Sequence, residues 1–277
     1  MKHILQLAAL AITLPAFAQT SPPEEFTRCI DSLQGAARAA GVSESAYRRF
    51  TQDLQPDMSV IEKLDYQPEF RMPIWDYLSG LVDEERVAEG RARMAEHAQV
   101  LARVQQRFGV DPATVVAVWG VESNFGQSFG TLPLVRSLGT LSCIGRRQAY
   151  FRTELYAALR ILQAGHIAPE RLQGSWAGAF GHTQFMPSTF ERLAVDFDGD
   201  GKADLMDSTS DALASTANYL KRAGWRSGEP WGYEISVPKG FDTGLAGRTS
   251  RRPLSDCASG STSPGAGASA ASRRASS

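Results

Sequence analysis

From residue 22 to about residue 108, apolar side chains return every three or four positions, the spacing that places them on one face of a helix. Phe26, Ile30, Leu33 and Ala37 make the first such stripe, and Gly41 supplies its stop. A second helix follows Ser43. A longer one is predicted over residues 83–108, where Val87, Met94, Leu101, Val104 and Phe108 form the stripe and Gly109 ends it. All these stripes are expected in the core. Asp111-Pro112 is a strong helix start, a capping carboxylate followed by Pro at the first helical position. The residues after it, Val115, Val116, Val118, Trp119 and Val121, leave almost no polar face. That helix is predicted to be buried on most sides and to deliver Glu122 at its C-terminal end. An amphipathic helix follows over residues 147–164, closed by Gly165. A loop of Gly, Ala and aromatic residues over 174–181 leads into another helix after Pro187. An acidic loop over 196–207 then feeds a helix that ends at Gly224. Only residues 231–237 alternate like a strand. The fold class is therefore mainly α with little β, and no internal repeat is visible.

The length of 277 residues, with 43% hydrophobic and 21% charged composition, suits one main globular domain. Lys plus Arg at 29 against Asp plus Glu at 30 leaves a formal charge of -1, so no global basic field draws the chain to nucleic acid or anionic lipid. The first residues combine Lys2 and His3 with an apolar stretch from Ile4 to Leu14 and a small-x-small end at Ala16-Phe17-Ala18, the pattern of an export signal cleaved near Ala18. The apolar run is shorter than the roughly 20 residues a bilayer core requires, and no other segment is long enough, so no membrane span is expected in the mature protein. Three cysteines at 29, 143 and 257 fit no zinc cluster. Cys29 with Cys143 is the favoured bridge, because both sit in segments that look folded while Cys257 does not. Two buried free thiols are the alternative.

The chemistry begins at Glu122. A carboxyl at the end of an apolar helix loses hydration and faces the negative end of the helix dipole, and both effects favour the neutral acid. The turn Ser123-Asn124-Phe125-Gly126 behind it suits a cleft better than a solvated cap. Glycoside cleavage usually needs two carboxylates flanking the bond, and no convincing second one is found. Glu154 sits in an amphipathic helix, where ion pairing is its expected role. A lone acid points to a reaction in which the substrate supplies its own nucleophile. The acids of residues 196–207 have another explanation, because DFDGDGKADLMD matches the EF-hand calcium loop with Asp196, Asp198 and Asp200 at positions 1, 3 and 5, Gly201 at 6, the Lys202 carbonyl at 7 and Asp204 at 9. Position 12 carries Asp207 where Glu is usual, so Asp211 on the next helix is a competing ligand. A structural Ca2+ is the expected ion, with no cofactor for catalysis.

Several motifs stand in order. Trp75-Asp76-Tyr77 precedes the long helix, Val121-Glu122-Ser123-Asn124-Phe125-Gly126 follows, then Arg146-Arg147 with Tyr150-Phe151. Gly174-Ser175-Trp176-Ala177-Gly178-Ala179 runs into Gly181-His182-Thr183-Gln184-Phe185-Met186-Pro187, and Ala217-Asn218-Tyr219-Leu220 comes last. Together they resemble the lytic murein transglycosylase B family over residues 22–238. The resemblance implies a lysozyme-like helical core over residues 111–250, carrying the EF-hand-like loop, with an N-terminal helical part over 19–110 packed on it after a signal peptide over 1–18. It implies non-hydrolytic cleavage of the β-1,4 bond between N-acetylmuramic acid and N-acetylglucosamine in the periplasm, giving 1,6-anhydromuropeptides, with Glu122 as acid and then base. Ser175, Gln184, Tyr77, Tyr219, Arg146 and Arg147 would line the glycan cleft, while His182 reads as structural. The partner is then the peptidoglycan strand, with wall-synthesis enzymes as further candidates and a monomer as the expected state. The alternatives are a muramidase on the same fold and a non-catalytic wall-binding protein.

The end of the chain departs from the family pattern. From Cys257 onward only Cys, Ala, Ser, Gly, Thr, Pro and Arg occur, so the tail over 251–277 is expected to be disordered. Family members continue instead into a folded stretch with an Asn- and Tyr-bearing helix, and the change suggests an altered reading frame or a degenerate end. Lower stability and weaker activity than a complete relative are expected from it.

Overall fold

In the computed structural model the described residues are 22–64 and 72–229, with residues 239, 240, 242 and 244. The expected signal segment, the alternating stretch over 231–237 and the tail lie outside them. Eleven helices run through the described residues: α1 Pro22–Ala39, α2 Glu44–Thr51, α3 Ser59–Leu64, α4 Ile74–Leu81, α5 Glu84–Glu96, α6 Ala98–Phe108, α7 Pro112–Ser123, α8 Leu134–Cys143, α9 Gln148–Ala164, α10 Pro187–Leu193 and α11 Thr209–Arg222. A two-residue strand pair, β1 Leu132–Pro133 and β2 Gln173–Gly174, is antiparallel with Leu132 opposite Gly174. No helix among these residues is long and apolar enough to cross a membrane. The chain divides into a unit from Met1 to Trp225, which holds all these elements, and a second from Arg226 to Ser277.

Two apolar clusters organise the first unit. The larger gathers α1, α2, α3, α8, α9 and α10 around Phe26, Leu138, Leu155 and Phe180. Its centre is α8 against α9, the most extensive helix pair among the described residues. The smaller gathers α6, α7 and α11 around Val104, Trp119 and Leu213. A disulfide joins Cys29 on α1 to Cys143 at the end of α8, across 114 residues of sequence.

The local starts and stops follow their side chains. Ser43 accepts from the Ala46 amide to open α2, and Asp111 accepts from the Thr114 amide (2.9 Å) and hydroxyl (2.7 Å) to open α7. The helix predicted over 83–108 is two helices, broken at His97, whose backbone (φ -100, ψ 19) leaves the helical region. Its first half also fails the expectation of burial. No residue of α5 is buried, and Val87 is 42% exposed. Nor is α7 enclosed all round, since Val121 is 41% exposed and borders an open apolar groove with Leu81, Val82, Val87, Met94 and Val116. Glu154 departs from its predicted role too. It is 3% exposed and accepts from the Ser188 amide (2.9 Å) and hydroxyl (2.7 Å). A carboxylate on α9 thus caps α10, whose own N-cap Met186 has no capping side chain.

Candidate active site

Glu122 stands in the last turn of α7, where the chain leaves the helix through an unusual backbone. Asn124 (φ 48), Phe125 (φ 55) and Gly126 (φ 84) are three consecutive left-handed residues. Asn124 is a residue that ends helices in this conformation, but for Phe125 it costs about 1–2 kcal/mol, so the turn relies on its surroundings to hold it. The Phe125 ring folds back over α7, and a Cβ on Gly120 would stand 2.7 Å from its tip. The Asn124 amide closes on Gly120 O (3.0 Å) and the Ser128 amide on Ser123 O (2.9 Å). The Glu122 side chain itself reaches solvent. Protein on its remaining sides removes enough water to push its carboxyl above the ordinary range, and no neighbouring charge contributes to that shift.

The segment after β2 supplies the floor of this turn. Ser123 Oγ donates to His182 O (2.8 Å) and accepts from the Gly126 amide (3.1 Å). Trp119 Nε1 donates to His182 Nδ1 (2.8 Å). Gly126 lies so close to the imidazole that a Cβ there would be 2.3 Å from Cε1. Burial lowers the pKa of His182 to about 4, which keeps the ring neutral with Nδ1 as acceptor and the proton on Nε2. Gln184, itself left-handed (φ 48), donates from Nε2 to Phe129 O (3.2 Å) and Gly181 O (3.0 Å). The Glu122 motif and the Gly181–Pro187 motif, some 60 residues apart in sequence, thus form one polar seam between the two apolar clusters.

The other predicted cleft residues fall in three places. Ser175 and Tyr219 join the seam. Ser175 accepts from the Ala179 amide through its hydroxyl (3.0 Å) and donates its own amide to Ala179 O (2.7 Å), next to the bridges Gly174–Phe180 and Phe180–Phe185. Tyr219, 45% exposed on α11, packs against the Phe185 ring at 5.6 Å. Arg146 and Arg147 belong to the α8–α9 corner: Arg146 donates to Leu64 O (2.6 Å), and the Arg147 guanidinium lies 4.6 Å from the centre of the Tyr150 ring. Tyr77 lies on α4, partly exposed.

The acidic loop brings together a different set from its template. One carboxylate oxygen each of Asp196, Asp198 and Asp211 falls within 4.8 Å of the others. Asp211 is fully buried and accepts from the amides of Phe197 (2.8 Å), Asp198 (3.3 Å) and Asp204 (2.9 Å). Its carboxyl is raised first by burial and also by the charge of Asp198, against those three hydrogen bonds. Asp207, the template's position 12, is instead in a bidentate ion pair with Arg171. Asp204 turns back to the amides of Met206 and Asp207, and Asp200 to that of Lys202.

Membrane-bound lytic murein transglycosylase B of Escherichia coli (strain K12) is 36% identical over 191 residues, covering 64% of this chain and 53% of that protein, so the chain spans about half its length. Among solved structures, SltB3 from Pseudomonas aeruginosa in complex with NAG-anhNAM-pentapeptide is 48% identical, with a TM-score of 0.79 over 83% of this chain and 62% of that one. The Escherichia coli lytic transglycosylase Slt35 in complex with calcium is 29% identical, with a TM-score of 0.74 over 91% and 77%. The mostly helical, lysozyme-like transglycosylase fold is thereby shared. A family model described as a transglycosylase SLT domain matches residues 25–276, and the chain belongs to that family.

Proposed function

We propose that this chain is a peptidoglycan lytic transglycosylase of the periplasm, with Glu122 as its acid and base. The observation that carries the reading is the Glu122 carboxyl, held toward its neutral form by lost hydration with no second charge acting on it. Protonated, it gives its proton to the glycosidic oxygen as the bond from the N-acetylmuramic acid anomeric carbon breaks. The carboxylate so formed then takes the proton of that sugar's 6-hydroxyl as the hydroxyl oxygen closes onto the anomeric carbon. The products are a 1,6-anhydro end and a new N-acetylglucosamine 4-hydroxyl, and Glu122 is protonated again. One carboxyl suffices because the sugar, and not water, is the nucleophile. Ser175, Gln184 and Tyr219 stand on the seam that also holds Glu122, and they are the cleft residues this reading favours, with Arg146 and Arg147 at the α8–α9 corner and Tyr77 on α4 as further candidates. The P. aeruginosa relative's complex with an anhydro-muramic fragment supports the reading.

Asp196, Asp198 and Asp211 would hold a structural Ca2+. Three carboxylate oxygens within 4.8 Å of one another form a hard, all-oxygen donor set, and they bring the charge of Asp198 against the buried Asp211 carboxyl. When bound, the ion would neutralise that charge and stiffen the loop. The calcium complex of Slt35 supports this assignment.

The test is mass analysis of the muropeptides released from purified sacculi. Anhydro ends are expected to dominate, and Glu122→Gln should lose release by about 1,000-fold or more, since the proton transfer and the charge are both removed. Reducing ends as the main product would make the protein a muramidase. Substantial activity in folded Glu122→Gln would remove Glu122 from the chemistry.

A further inference from the structure

The mechanism makes no use of His182, yet its ring lies directly against the turn behind Glu122. Its ring meets Gly126, its Nδ1 accepts from Trp119, and its carbonyl accepts from Ser123, the residue next to Glu122. Its own amide is fixed in turn, donating to Leu205 O at 2.9 Å. The ring is 8% exposed and lies edge-on to Trp119 (5.6 Å between centroids) and Phe129 (4.7 Å). Such a ring has one orientation in which Trp119 is satisfied. The left-handed Phe125 has no intrinsic reason to stay so, and Ser123 Oγ, bridging the Gly126 amide to His182 O, links the geometry of the turn to the histidine segment.

We propose that His182 is a positioning residue for Glu122: with Trp119 and Ser123 it holds the left-handed turn at residues 124–126 and thereby fixes where the Glu122 carboxyl meets the glycosidic oxygen. The inference rests on Glu122 being the acid. It differs from a packing role in one respect. Loss of packing lowers the amount of folded protein, whereas loss of positioning lowers the turnover of the protein that remains folded. A displacement of the acid by an ångström costs on the order of 100-fold in rate while leaving remote substrate contacts in place.

The test compares His182→Leu, which removes the acceptor for Trp119, with His182→Asn, whose amide oxygen can stand where Nδ1 stands. Turnover and KM are measured on soluble, uncross-linked glycan strands, well below each variant's melting temperature and per folded molecule. For His182→Leu, kcat is expected to fall about 100-fold with KM within about threefold of the parent, and His182→Asn to return to within about tenfold of the parent. Unchanged kcat in folded His182→Leu, or no gain from Asn over Leu, overturns the proposal. Should His182→Leu fail to fold, Trp119→Phe decides it from the donor's side: an unchanged kcat in that variant overturns the proposal, and a fall in kcat at constant KM supports it. Glu122→Gln is run alongside. If it stays active, the assignment of the acid fails; if it is inactive while His182→Leu keeps full turnover, only the positioning role fails.

Discussion

The larger apolar cluster is closed by carbon against carbon, with Leu134, Leu138, Leu141, Leu155 and Leu159 all at 0% exposure and a disulfide tying α1 to α8. The smaller one, around α6, α7 and α11, is open along Val121 and ends in a turn of three left-handed residues. Where the two meet, the contact is polar: Trp119 from the smaller cluster, and Ser123 beside it, bond to His182 in the segment between Phe180 and Phe185, both of which pack in the larger. The difference separates two tasks. Dense packing makes one half stable, and that half can then hold the other in a geometry it would not keep alone. Glu122 stands on the side that is held.

The strongest way to break this comparison is to weaken the larger cluster without touching the seam. Leu155→Ala removes a side chain with no exposed surface, and the lost contacts together with the cavity left behind should cost about 2–5 kcal/mol. Thermal unfolding should show a clear fall in melting temperature. Turnover per folded molecule should stay at the parent's value, because nothing in the 123–126 turn has moved. If turnover falls with stability, the division of labour between the clusters is wrong.

Calcium sharpens the comparison at the opposite end of the same seam, since His182 is bonded to Leu205 within the acidic loop. An ion bound only by the folded chain stabilises it by about 2.7 kcal/mol at a hundredfold excess over its dissociation constant. Adding calcium to chelator-treated protein should raise the melting temperature, and the double variant Asp196→Ala with Asp198→Ala should show no such rise. A calcium response equal to the parent's in that variant would put the ion elsewhere.

How much of this was legible in the sequence depends on how local each cause is. The start of α7 at Asp111-Pro112 and the close of α9 at Gly165 follow from single residues acting on their own backbone, and the mainly α class follows from periodicity. The break at His97 does not, because the apolar spacing of Met94, Leu101 and Val104 runs through it. Val87 fits the same stripe and is exposed: periodicity marks a face but not what covers it. The helix α8 carries only a short stripe of its own, Leu134, Leu138 and Leu141, and small polar residues hide the rest of its buried surface. It is buried on nearly every side, and Ser137, Gly139, Thr140 and Ser142 occupy core positions. At the site, Glu122 and the strings around it were readable as motifs, while Trp119 looked like ordinary core and His182 like ordinary structure. Their partnership spans 63 residues, and no local pattern announces a hydrogen bond across that distance. The replacement of Asp207 by Asp211 in the acidic cluster turns on Arg171, 36 residues away from Asp207, and was open for the same reason.

The smallest expected effect concerns the cost of holding Glu122 in place. Burial raises its carboxyl above the ordinary glutamate value near 4.5. On the way up through that value the unfolded chain releases this proton first, while the folded chain still keeps it. Between the ordinary value and the raised one, the folded state therefore binds more protons than the unfolded state, and stability falls as pH rises across the window. Above the window the penalty is constant, and below it the penalty vanishes. A glutamine amide at this position has no proton to lose, so Glu122→Gln should be more stable than the parent at pH 7 and equal to it near pH 3. Because the side chain also reaches solvent, which screens the effect, the gain should stay below about 1 kcal/mol. Parallel melting curves of the two proteins at both pH values measure it. A variant less stable than the parent at pH 7 would mean that the Glu122 carboxyl is stabilising in the folded chain, and a gain that persists at pH 3 would mean that it does not come from the carboxyl's ionisation; either result ends the claim that the acid is held at a cost in stability.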